Sequence, residues 1–208
     1  MKCVLSKADM RNIKDIILAS ASPRRKEILE KIGLKFRVVE SRRKEKMDPG
    51  LKPHDLAKFL SREKAREVAR RHANALVIAA DTIVVLRGRI FGKPCDKGQA
   101  KEMLRVFSGK AHSVITGFTI IDTASKKELS RSISSKVFFK RLSADEIEAY
   151  IRSGEPLDKA GAYGIQGLGA VLIKRIEGDF FNVMGLPLNA LAESLKKFGV
   201  NVLMSNKV

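Results

Sequence analysis

The 208-residue chain carries 41 Lys and Arg against 23 Asp and Glu, a formal net charge of +18, with 44% hydrophobic residues. This is a globular composition, long enough for a proper core, with no apolar run approaching the roughly 18 residues that cross a bilayer. Two unrelated cysteines, Cys3 and Cys95, and three scattered histidines, His54, His72 and His112, exclude a disulfide framework, a CxxC zinc pair and a helical His-x-x-x-His site.

The opening "MKCVLSKADMRNIKD" is too polar for a secretory leader, so a cytoplasmic protein with no membrane partner is expected. "DIILAS" (residues 15–20) predicts a short strand. "SPRRKEILEKIG" (22–33) predicts a helix with Ser22 as N-cap, Pro23 at the first position and Gly33 as the stop. "KFRVVE" (35–40) alternates like a half-buried strand. Residues 41–53 are polar loop, and 54–73 form a helix with Leu56, Phe59, Leu60 and Val68 on one side. "ALVIAADTIVVL" (75–86) is the most apolar run, a buried strand that Asp81 and Thr82 are expected to interrupt. "RGR" (87–89) makes a tight turn, and a helix follows over 96–109 with Asp96 and Gln99 spaced as a capping box.

The second half is richer in strands. Residues 112–122 and 132–142 read as two long strands, then a helix starts at a second capping box, Ser143 and Glu146. A glycine-rich stretch leads into a strand expected over 169–176, and a helix over 185–199 closes the pattern. The mixture predicts an α/β fold with a curved mixed sheet and a cleft between two lobes in one domain, 1–208.

Several residues sit where their local chemistry is unexpected. Arg24 and Arg25 occupy the first turn of a helix, whose free N–H groups favour anions and repel cations. Either a phosphate or carboxylate docks there, with Ser20 and Ser22 adding hydroxyls, or the arginines pair with Glu27 and other surface acids. Asp81, inside the apolar run, must be paired, bind a metal, titrate abnormally or cap a turn. Lys64 continues the apolar stripe of Leu60 and Val68, so it snorkels or points into a cleft. Lys93 is fixed between Gly92 and Pro94, and Glu45 reads first as charge balance within "RRKEKMD". Gly161, Gly164, Gly167 and Gly169 suit a close backbone approach to a ligand, and the Gln166 amide among them can read a base edge.

Taken in order, "LASASPRRKEIL", "LSREKA", "AADTIVV", "GKP", "FSGKAHSVITG", "DKAGAYGIQGLGA" and "VMGLP" resemble the Maf family of nucleoside triphosphate pyrophosphatases, over residues 16–198. The resemblance implies a Maf- and ITPase-like α/β fold, a curved mixed sheet flanked by helices around a deep cleft. It also implies a homodimer, and hydrolysis of a nucleoside triphosphate to the monophosphate and pyrophosphate with a divalent metal, Mg or Mn. "AYGIQG" is similar to the branch acting on dTTP and UTP. By resemblance, Asp81 accepts the proton, Glu45 and Asp81 hold the metal, and Arg24, Arg25, Lys64 and Lys93 hold the triphosphate. Arg24, Thr82 and Gln166 fall on positions tied to base specificity. Two features depart from the family pattern: "SRRK" before Glu45 is unusually basic, and Asn182 stands where a small hydroxyl residue is expected. The rival readings are a basic nucleic-acid-binding module, which the low aromatic content (6%) disfavours, and a nucleotide-binding regulator of cell division without turnover.

Overall fold

The computed structural model describes residues 15–43, 48 and 50–205, so the predicted metal ligand Glu45 and Cys3 lie outside the described residues. One mixed sheet contains β1 (Asp15–Leu18), β2 (Arg37–Val38), β3 (Ala75–Leu86), β4 (Arg89–Phe91), β5 (Ala111–Asp122), β6 (Glu128–Phe139) and β7 (Ile173–Glu177). The order is β2-β1-β3-β5-β6-β7, with β4 beside β3. β1 runs parallel to both β2 and β3, and the other pairings are antiparallel. Parallel neighbours need crossovers, which α1 (Pro23–Lys31) and α2 (Pro53–Ala69) supply.

β3 is continuous over twelve residues, contrary to the interruption expected at Asp81 and Thr82. The alternation of a strand accommodates both polar residues by sending them to opposite faces. The turn after β3 places Arg87 and Gly88 at φ +50° and +80°, the left-handed pair that matches hairpin twist. The second strand shrinks to two exposed residues. The strand expected from residue 169 begins only at Ile173, because Gly167–Leu172 coils as a 3₁₀ helix. Ser143 and Glu146 form the expected box at α4 (Ala144–Arg152). At α3 (Lys97–Phe107), Asp96 caps Gln99 N–H as expected, but the Gln99 side chain accepts from Cys95 N–H instead of Asp96.

The helix α2 covers one face of the sheet at unusually close range. A Cβ on Gly117 would lie 2.2 Å from the Ala57 carbonyl carbon and oxygen. Leu56, Leu60 and Val68 are buried there as predicted, together with Ala57, Ser61 and Ala65. The opposite face carries two separate apolar clusters. One packs Leu76, Ile78 and Ala80 against α1, α5 (Phe180–Met184) and α6 (Leu188–Lys196). The other packs Val84 and Leu86 against α3 and α4. The clusters part at Thr82, and the cleft expected between two lobes opens there.

His112 is buried in the second cluster, with its ring centroid 4.5 Å from that of Phe107 and Nε2 2.6 Å from the Tyr163 hydroxyl. Desolvation lowers its pKa from 6.5 to about 4. The unfolded chain therefore binds more protons between those values. The contribution is fully present above pH 6.5 and is lost as pH falls to about 4. Urea denaturation across that window should show a loss of about 3 kcal/mol, and His112→Phe should remove that part of the slope. Gly117→Ala should destabilise the fold by at least about 2 kcal/mol in the same assay, because backbone rather than a flexible side chain meets the added carbon.

Candidate active site

Two short strands share one edge of β3. β1 pairs with Ala75 to Ile78, and β4 pairs with Val84 to Leu86. Among the described residues no strand pairs with that edge between Ala79 and Ile83. The gap lies beyond the carboxyl ends of the parallel strands, where open α/β sheets place ligand sites. A groove of about 410 Å³ opens onto it, lined by the turn from Ala19 to Arg25, by Lys64, Asp81 and Thr82, by Lys93, and by Asp158 to Ile165 in part.

The turn after β1 is held by Arg25. Its Nε donates to the Gly185 carbonyl at 2.8 Å, one terminal nitrogen to Ser20 Oγ at 3.1 Å and the other to Thr82 Oγ1 at 3.0 Å. A planar fork can reach three elements at once in this way, which an ammonium cannot. The directions of the next bonds follow from proton count. Thr116 Oγ1 donates to the Asn182 carbonyl at 2.8 Å, so the Thr82 hydroxyl must donate to Thr116 across 2.9 Å. The chain Arg25–Thr82–Thr116–Asn182 thus ties α1, β3, β5 and α5 together. Asn182, the unexpected residue, is fully buried and donates to the Val114 carbonyl and Ser135 Oγ, both at 3.0 Å. Gly185 has φ +115°, a conformation open to glycine, and a Cβ there would sit 3.4 Å from Arg25 Nε.

Lys64 and Asp81 form an ion pair across the gap, with side chains only 16% and 8% exposed. A buried carboxylate needs a partner, and α2 delivers one because Gly117 lets the helix sit close. Arg24 reaches the other wall, 3.6 Å from Asp158, whose carboxylate also accepts from Lys159 at 2.6 Å. Burial works against ionisation of Asp158, but the hydrogen bond and charge of Lys159, with Arg24, outweigh it and hold the carboxyl below its usual range.

Ser20, Ser22, Arg24, Arg25, Lys64, Asp81, Thr82 and Lys93 all line the groove. Gln166 does not: its amide donates to Glu27 at 3.4 Å on the α1 side. Arg43, Asp158 and Lys159, which no local sequence signal singles out, also line the groove. Asp158 and Lys159 directly precede the glycine-rich motif, and Arg43 belongs to the unusually basic "SRRK", where it pairs with Glu63. Among the described lining residues, six cationic side chains face two carboxylates, Asp81 and Asp158. That balance favours a polyanion. No cluster of three or more His, Cys, Asp or Glu capable of holding a metal occurs among the described residues. Asp81 still offers an oxygen ligand of the kind magnesium uses when phosphates supply the others.

A family model described as "Maf-like protein" matches residues 15–198. A dTTP/UTP pyrophosphatase of Pelotomaculum thermopropionicum is 48% identical over 191 residues, covering 92% of this chain and 100% of that protein. A dTTP/UTP pyrophosphatase of Methanosarcina barkeri is 49% identical, covering 91% and 97%. Among solved structures, the nucleoside-triphosphatase/dITP/XTP pyrophosphatase of Mycobacterium abscessus is similar over 91% of this chain and 97% of its own, at a TM-score of 0.41 and 15% identity. Likeness at that level says nothing about substrate.

Arg25→Lys keeps the charge and loses the fork, leaving Ser20, Thr82 and the Gly185 carbonyl to compete for one ammonium. Chemical denaturation should show a loss of about 1.5–3 kcal/mol.

Proposed function

The chain belongs to the Maf-like protein family, and we propose that it is a pyrophosphatase hydrolysing dTTP and UTP to the monophosphate and pyrophosphate. The observation that carries this reading is the Asp81 carboxylate, fixed by Lys64 at an edge gap that opens onto a mostly cationic groove. A nucleoside triphosphate brings close to four negative charges, and hydrolysis at the α-phosphorus shifts charge onto the departing pyrophosphate. In this reading Asp81 takes a proton from water as the water oxygen bonds to the α-phosphorus. The bond from that phosphorus to the bridging oxygen breaks, and pyrophosphate leaves.

In this reading Arg24, Lys64 and Lys93, which line the groove, neutralise the phosphates, and Lys93 has no ion-pair partner among the described residues. Arg25 keeps Ser20 and Thr82 in place around the same anion. Arg24, Thr82 and Gln166 are the specificity positions of the proposal. Thr82 acts through Arg25, and Gln166 reaches a base by giving up its bond to Glu27. A divalent ion, Mg or Mn, would neutralise phosphate charge when bound, with Asp81 and Glu45 as the residues to hold it. We propose as well that it acts as a homodimer in the cytoplasm.

Pyrophosphate release from a panel of nucleoside triphosphates separates this function from a silent nucleotide-binding regulator. dTTP and UTP should be the preferred substrates, and chelation should abolish turnover until Mg or Mn is restored. Asp81→Asn should lower kcat by at least about 10² while KM for dTTP changes by less than about threefold. Near-normal turnover in that variant removes Asp81 from the chemistry.

A further inference from the structure

The glycines of "AGAYGIQGLGA" suit a backbone that approaches something closely, and a ligand is the obvious candidate from sequence. For two of them the structure gives a different neighbour. A Cβ on Gly167, at φ +68°, would lie 2.7 Å from Glu155 Oε2. A Cβ on Gly169 would lie 2.3 Å from the Gly164 carbonyl and 2.6 Å from the Tyr150 hydroxyl. The segment folds tightly around a carboxylate and a phenol, neither of which lines the groove.

The hydrogen bonds define a closed arrangement. Glu155 Oε2 accepts from Leu168 N–H at 2.9 Å. Its Oε1 accepts from Gly169 N–H at 3.1 Å and from the Tyr150 hydroxyl at 2.8 Å. The Tyr150 oxygen in turn accepts from Gly164 N–H at 3.2 Å. Both ends of the segment 164–169 are therefore tied to one pair of side chains. Tyr150 is 4% exposed and comes from α4, a capped helix in the second apolar cluster, so the anchor is rigid. Glu155 also opens the 3₁₀ turn Glu155–Asp158, and its carbonyl accepts from Lys159 Nζ at 2.7 Å. The same pair thus sets the wall that presents Asp158, Lys159, Gly164 and Ile165 to the groove.

We propose that Tyr150 and Glu155 are positioning residues that clamp the segment 164–169 against the groove and so set the affinity and base selectivity of the enzyme. The proposal rests on the pyrophosphatase reading above. The pair lies behind the glycine-rich wall, away from Asp81, so its loss acts on substrate placement more than on the chemical step. Gly164 N–H is buried, and losing its acceptor leaves it unsatisfied, which favours local opening.

The test uses the full chain, with Tyr150→Phe and Glu155→Gln beside the wild type, and reads amide hydrogen exchange together with dTTP and CTP kinetics. Exchange at Gly164, Leu168 and Gly169 should rise roughly 5- to 150-fold in the variants while β3 and β5 stay protected. KM for dTTP should rise about tenfold, kcat should change by less than about threefold, and the dTTP-over-CTP preference in kcat/KM should narrow. Unchanged exchange at those amides overturns the clamp, whatever the wild type hydrolyses. Exchange that rises throughout the sheet, with kcat falling as far as kcat/KM, assigns the pair to fold stability alone and overturns the proposal. Local opening with unchanged KM and selectivity overturns it too. A wild type that releases no pyrophosphate defeats the pyrophosphatase reading separately, and the exchange measurement still decides the clamp.

Discussion

The guanidinium of Arg25 is the point on which the other parts of the site depend. It joins the turn after β1, the middle of β3 and the glycine that ends α5, three segments far apart in sequence. Without it, a cation in the first turn of α1 would be a local liability, because the helix end already carries partial positive charge. With it, the turn from Ala19 to Arg25 is held open beside the sheet, and Ser20 and Thr82 are kept at fixed positions. The relay through Thr82 and Thr116 to the Asn182 carbonyl extends the same constraint to the sheet's fifth strand. A small hydroxyl at position 182 would lack the amide that reaches both Val114 and Ser135.

The second constraint is the division of β3 between two partners on one edge. β1 ends and β4 has not begun where Asp81 and Thr82 lie. Strand alternation gives Asp81 to the α2 side and Thr82 to the α5 side, yet both line the groove at the gap. The close seat of α2 over Gly117 brings Lys64 to the carboxylate and resolves the cost of burying it. The apolar clusters on the other face separate at the same residue, so packing and chemistry share one boundary.

Much of this was legible in the sequence because the signals were local. Ser22, Pro23 and Gly33 bracketed α1, and the oddity of Asp81 in an apolar run marked a residue that needed a partner. Lys64 read as either a snorkelling or a cleft lysine, and the ion pair decides for the cleft. Long-range geometry was not legible. Nothing near Arg25 shows that its fork reaches Gly185, 160 residues away. Nothing near Gly167 and Gly169 shows that they make room for Glu155 and Tyr150, because a glycine reports close approach without naming what approaches. The strand expected from residue 169 failed for the same reason: the pull of Glu155 on two backbone N–H groups coils Gly167–Leu172 before β7 can start. Gln166 has the chemistry of a base reader, and the structure rests its amide on Glu27.

In the proposed reaction, water attacks the α-phosphorus beside a carboxylate that the fold has buried and paired. Hydrolysis of dTTP in water enriched in oxygen-18 tests that claim most directly. The expected products are dTMP and pyrophosphate in equal amounts, with the heavy oxygen in dTMP. Release of orthophosphate, or label found in the pyrophosphate, would contradict it.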